Sequence, residues 1–218
     1  MDMLRLGALG GLLGLDGTAV GQFMLSRPLV AGVLAGWATG SVVQGALIGA
    51  ILELYLLVSV PSGGARFPEA STATVVAVAC AATFAGFGAL PLAVAGGLIW
   101  GQVSGATVDA QRHFNARLMP EAGEPQAARR LTRGHVLAIL VDLLRGSLVT
   151  VAGIVTGRFL IAAFVARWPL GEGGSMALLF VGAAVSAGIL LNDLGGFRRR
   201  KVWFTAGLAL GLVGSRLL

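Results

Sequence analysis

The stretch PLVAGVLAGWATGSVVQGALIGAILELYLLVSVP, from Pro28 to Pro61, carries a single charged residue, Glu53, in an otherwise apolar and small-residue run. A helix crosses the hydrocarbon of a bilayer in about 20 residues, so the run is too long for one crossing. Gly weakens a continuous helix, and two helical pieces meeting near Gly40 to Gln44 are predicted. A carboxylate in hydrocarbon costs roughly 2.5 to 3.5 kcal/mol on insertion scales, so such a residue lines a cavity, pairs with a partner or handles a polar solute. A second carboxylate, Glu69, follows on a stretch broken by Gly and Pro.

Outward from this run the chain keeps the same character. Its 218 residues are 56% hydrophobic and 12% charged, with mean hydropathy +0.85, where globular chains carry roughly 25% charged residues. Further apolar stretches cover about Leu4 to Leu25, Thr72 to Thr107, His135 to Ala166, Ser175 to Leu194 and Val202 to Leu218. Thr72 to Thr107 is expected to bend around Gly86 to Pro91. The predicted fold class is therefore an all-α integral membrane protein, a single domain over 1–218 with about seven or eight transmembrane or re-entrant segments and broken helices. The 34 glycines suit helices that approach closely in lipid. A lone Cys80 excludes a disulfide within the chain and a Cys-rich metal site. Met1 to Ala19 holds one basic residue and is interrupted by Asp16, with no convincing cleavage site, and reads as mature membrane sequence.

Basic residues set the topology. The stretch 108–134 is the only long polar connection, and Arg112, Arg117, Arg129, Arg130 and Arg133 outnumber its acids. By the positive-inside rule it is a cytoplasmic basic loop. The Arg198-Arg199-Arg200-Lys201 cluster belongs on the same side, and His135 to Ala166 with Ser175 to Leu194 supply the two crossings between them. Arg167 to Gly174 then faces outward, as does the end of Val202 to Leu218. The formal net charge of +6 is thus a matter of topology rather than of nucleic-acid binding.

Gly45, Gly49 and Glu53 recur every four residues, forming one helix face that either packs tightly or admits a ligand next to a carboxylate. Gly32, Gly36 and Gly40 repeat the pattern, as do Gly97, Gly101 and Gly105, and close helix packing is expected of both sets. From Val60 to Thr72 no regular helix fits. Irregular backbone at membrane depth is tolerated where it is buried in protein or lines a wet cavity, as in the broken helices of transporters. The other reading is a surface turn with Glu69 as a first-turn acid that the helix dipole favours.

These same residues resemble a known family, the IIC membrane subunit of the mannose/fructose/sorbose-type phosphotransferase system. The resemblance lies in Gln22 to Gly32 (QFMLSRPLVAG), Gln44 to Leu54 (QGALIGAILEL) and Phe67 to Ala73 (FPEASTA), in matching order and spacing over about the first third of the chain, with a weaker match over Asn192 to Gly211. It implies a sugar-translocating permease subunit in a bacterial cytoplasmic (inner) membrane. It also implies pairing with a IID membrane subunit in homo- and hetero-oligomers, an elevator-like shift of the substrate, and delivery to cytoplasmic IIB and IIA phosphocarriers. The substrate would be a hexose or hexosamine, and phosphoryl transfer would belong to the other subunits, so no cofactor and no phosphorylated residue is expected here. Pro68-Glu69 departs from the family's common Pro-Asp by one methylene, and Pro61-Ser62-Gly63-Gly64 is not a close match.

A sugar site needs groups that replace the water contacts of vicinal hydroxyls. Glu53 and Glu69 are the leading candidates, with Gln22, Gln44 and Ser71 behind them. Asp16, beside Gly17, reads as structural, Arg27 before Pro28 as an interface anchor, and Asp142 with Arg145, three apart, as a self-neutralising pair. His113 and His135 read as solvated loop histidines. A membrane enzyme such as a lipid-headgroup transferase would need several metal-binding aspartates, and Asp16-Gly17 supplies one; nucleophile elbows, His/Glu metal pairs and phosphate loops are also missing. A non-transport scaffold derived from a IIC-like subunit stays open as the alternative.

Overall fold

The computed structural model describes residues 3–57, 65–120 and 126–217, with side chains beyond residue 210 described only at Val213. Pro61-Ser62-Gly63-Gly64 lies outside these residues. Eight α-helices and no strands occur among the described residues: α1 (Met3–Thr18), α2 (Pro28–Thr39), α3 (Val42–Tyr55), α4 (Ala70–Ala81), α5 (Ala89–Ala116), α6 (Ala127–Phe164), α7 (Glu172–Asp193) and α8 (Gly196–Leu217). Three of them, α5, α6 and α7, are long and apolar enough to cross a membrane. At 1.5 Å per residue, helices of 12, 14 and 12 residues reach only about 18–21 Å, so α2, α3 and α4 fall short of a core about 30 Å thick.

The breaks fall where Gly and Pro put them. Pro28 starts α2, where a missing N–H costs nothing. Gly40 ends it in the left-handed conformation, φ 75°, which only glycine adopts freely. Gly40 therefore caps a helix, and a Cβ there would meet nothing within 4 Å, unlike at the packing glycine expected from its spacing. Gly32 and Gly36 do pack, against Gly45 and Gly49 across an antiparallel α2–α3 hairpin whose backbones touch. The Gly45–Gly49 face is accordingly filled by α2, and no groove remains beneath Glu53.

At the centre stands α4, buried at every position from Ser71 to Ala81. Its residues are small or β-branched on all sides, as expected of a helix enclosed all round. Around it lie α1, α2, α5 and α6. The α5 glycines Gly97 and Gly101 seat Ala73 and Ala77 of α4, and Gly105 lies against the backbone of Phe67. On α1, Gly7, Gly10 and Gly11 pack against Val151, Thr150 and Ser147 of α6, running antiparallel. α7 rests on α3, where Ser186 donates to the Tyr55 carbonyl at 3.4 Å, and α8 packs on α7.

Two boundaries correct the sequence reading. The stretch 108–134 is not mainly a loop: α5 continues to Ala116 and α6 begins at Ala127. His113 and His135 are exposed as expected, but they sit on these helical ends. At 38 residues, roughly 57 Å, α6 is far longer than a bilayer core, so it carries its basic N-terminal turns beyond the membrane. The basic cluster Arg198 to Lys201 likewise lies within α8 rather than ahead of it.

Candidate functional site

Between α1, the start of α2, the end of α3 and the irregular segment before α4 lies a cavity of about 110 Å³. Its polar walls are Glu53, Glu69, Ser71, Thr18, Ser26 and Arg27, and Phe67, Pro68 and Leu56 supply apolar surface. Three of the five residues expected to contact substrate thus meet here: Glu53, Glu69 and Ser71. Gln22 and Gln44 do not. Gln22 is exposed in the α1–α2 connection with a left-handed backbone, φ 53°, and Gln44 lies nine residues before Glu53 on α3, about 13 Å away along the axis.

Glu53 ends the α2-facing side of α3. It forms an ion pair with Arg27, and its carboxylate accepts the Leu29 N–H at 3.3 Å. The Arg27 side chain is 51% exposed and that of Glu53 19%, so this pair contributes little to stability. Arg27, read from sequence as an interface anchor, also forms part of the cavity wall.

Glu69 is held differently. Residues 65–69 are irregular, and the Glu69 N–H donates to the Gly101 carbonyl at 2.9 Å, docking the segment on α5. Arg112 clamps the same segment from α5, lying 5.1 Å from the Phe67 ring centroid and donating to the Ala65 carbonyl at 3.3 Å. The Glu69 side chain is 4% exposed. Thr72 donates to its Oε2 at 2.9 Å and Ser104 donates to the same oxygen. Arg145 of α6 reaches Oε1 at 2.9 Å and Oε2 at 3.2 Å, the two-pronged geometry that suits guanidinium and carboxylate. Glu69 stands at the N-cap of α4, where the helix dipole favours an acid, but makes no side-chain cap bond there, and its burial rules out a surface turn.

Asp142 and Arg145 are bonded as expected, Nε to Oδ1 at 2.9 Å. They are not self-contained, however. Arg145 joins Asp142 to Glu69 and also donates to Thr107 at 3.0 Å, while Thr18 of α1 donates to Asp142. Sequence reasoning missed Thr18, Ser104, Thr107 and the role of Arg145. One signal was available: two charges in an apolar helix need satisfied partners, and an i,i+3 pair leaves most of a guanidinium's N–H groups unused. Asp16 is structural as expected, accepting the Phe23 and Ser26 N–H groups at 2.7 and 2.9 Å and tying down the α1–α2 connection. Among the described residues no cluster of His, Cys, Asp and Glu suits a metal ion.

Short broken helices, irregular backbone and two carboxylates around one cavity are the features of a multi-pass membrane protein of the solute-transporter kind. The family model of the sorbose-specific IIC component of the phosphotransferase system matches residues 1–194, and the chain belongs to that family. It is thus a IIC permease subunit. A solved structure described only as a membrane protein superposes with TM-score 0.74 at 16% identity, covering 99% of this chain and 91% of the other. The mannose transporter ManYZ, solved in complex with a microcin, superposes with TM-score 0.54 at 18% identity, covering 99% and 92%. At these identities the likeness is one of fold. No curated protein sequence matches the chain.

Proposed function

We propose that this chain is the sugar-translocating subunit of a mannose-type phosphotransferase system, and that it binds a hexose or hexosamine in the cavity between Glu53 and Glu69. The observation that carries the proposal is that Glu53, near the end of α3, and Glu69, at the N-cap of α4, line one cavity. Carboxylates and the Ser71 hydroxyl suit vicinal hydroxyls, which lose water contacts on burial. Phe67 and Pro68 offer apolar surface to the C–H face of a sugar ring, the mixture usual in ligand pockets. The chain does not itself transfer phosphate in this reading. It moves the sugar inward by an elevator-like shift, with a IID subunit beside it in a bacterial inner membrane, for phosphorylation by a separate IIB supplied by IIA.

Burial of acids does not by itself favour transport over a scaffold, because Glu53 and Glu69 both have arginine partners. Their shared cavity is what distinguishes the two. The test is uptake of labelled hexoses and hexosamines in cells carrying this chain with IID and IIB partners, comparing wild type with Glu53→Gln and Glu69→Gln. Internal phosphorylated sugar that disappears in both variants at unchanged protein level is expected. A stably assembled wild type that accumulates none of the sugars would refute the transport reading and leave the scaffold.

A further inference from the structure

We infer that Arg145, which does not line the cavity, is the positioning residue that fixes Glu69 so that its Oε1 alone is offered to the sugar; this rests on the cavity being the sugar site. Oε2 already takes donors from Thr72, Ser104 and Arg145, leaving no room for another. Oε1 takes one, from Arg145 Nη2. On its other side lies Gly14 of α1, a residue of the cavity wall, where a Cβ would come within 2.9 Å of Oε1. Any side chain at position 14 would press on that oxygen, and glycine leaves room beside it.

Arg145 cannot be a sugar ligand in this arrangement because its N–H groups are already engaged. Nε and Nη2 meet Asp142 Oδ1 at 2.9 Å, Nη1 and Nη2 meet Glu69, and Nη1 also meets Thr107. A planar fork with both prongs on one carboxylate fixes the plane of that carboxylate as well as its position, which a lysine ammonium does not do. Asp142, held in turn by Thr18, fixes the guanidinium. The direction in which Oε1 accepts a hydroxyl is therefore set from α6, and with it the choice among sugars that differ in one hydroxyl.

The experiment is uptake by the full assembly with its IID and IIB partners, using radiolabelled glucose, mannose, fructose, sorbose and glucosamine as probes and their monodeoxy analogues as competitors. The arms are wild type, Glu69→Gln, Gly14→Ala and the double variant Asp142→Asn with Arg145→Gln, which keeps the cluster's formal charge. In the double variant the apparent KM is expected to rise about tenfold or more, the scale of a lost charge-assisted hydrogen bond. Maximal rate should hold while the rank order of the deoxy competitors changes. Gly14→Ala, whose Cβ would press on Oε1 and displace it against Arg145 Nη2, should raise KM in the same way, and it decides alone if the double variant does not assemble. No uptake by wild type, or uptake that Glu69→Gln leaves intact, overturns the sugar-site reading and this inference with it. Uptake that Glu69→Gln abolishes, but that keeps its KM and competitor order in the double variant, or in Gly14→Ala where that arm decides, overturns the positioning role alone.

Discussion

Alanine at Gly45 and alanine at Gly96 should have opposite effects, although both glycines lie inside helices. A Cβ on Gly45 would sit 2.6 Å from Gly36 Cα and 2.9 Å from Gly36 N, where ordinary contact begins at 3.4 Å. The obstacles are backbone atoms, so α2 and α3 must part by nearly an ångström along the seam. Overpacking of this kind costs about 1–3 kcal/mol. A Cβ on Gly96 of α5 meets nothing within 4 Å, so that substitution keeps only the gain in helix propensity, up to about 1 kcal/mol. The propensity gain is common to both and cancels in the comparison, leaving Gly45→Ala less stable than Gly96→Ala by about 1–3 kcal/mol. Reversible unfolding in mixed micelles, followed by tryptophan fluorescence, measures the difference. Equal midpoints for the two variants would refute the reading of α2–α3 as a glycine seam.

Asp16→Asn should weaken two charge-assisted hydrogen bonds to the α1–α2 connection, a local loss of about 1–3 kcal/mol. Faster amide exchange at Phe23 and Ser26 is the expected sign, and unchanged exchange would count against it. For topology, Cys80 is buried and so a silent background for thiol labelling. Arg129→Cys and Arg199→Cys should react with an impermeant maleimide only in inverted membranes, and Glu172→Cys only in intact cells; reaction of Arg129 and Arg199 from opposite faces would break the assigned orientation.

The sequence showed where helices stop more clearly than what their charged residues meet. The breaks at Gly40 and between Ala81 and Ala89 were legible because Gly and Pro act locally. The ends of α5 and α6 were not, since their polar turns beyond the bilayer carry no apolar signal and looked like a loop. At the site, Glu53 and Glu69 stood out as acids in apolar surroundings. The bond between Glu69 and Arg145 spans 76 residues of chain, and no local pattern encodes it. Asp142, three residues from Arg145, offered a nearer partner and hid the distant one. The Gly45–Gly49 face shows the same limit: spacing identified a close approach, but only the partner helix decides whether it is filled.

The clamp on Glu69 also has a mechanical consequence. One carboxylate is bonded to α4 through Thr72, to α5 through Ser104 and to α6 through Arg145, and the same guanidinium reaches α1 through Asp142 and Thr18. Any displacement that slid one of these helices past another would have to break these charge-assisted bonds. The four helices therefore share a single rigid frame at this level of the membrane. Across the cavity, the pair of Arg27 and Glu53 lies outside this network: among the described residues its hydrogen-bond and ion-pair partners are within α2, α3 and the connection before α2.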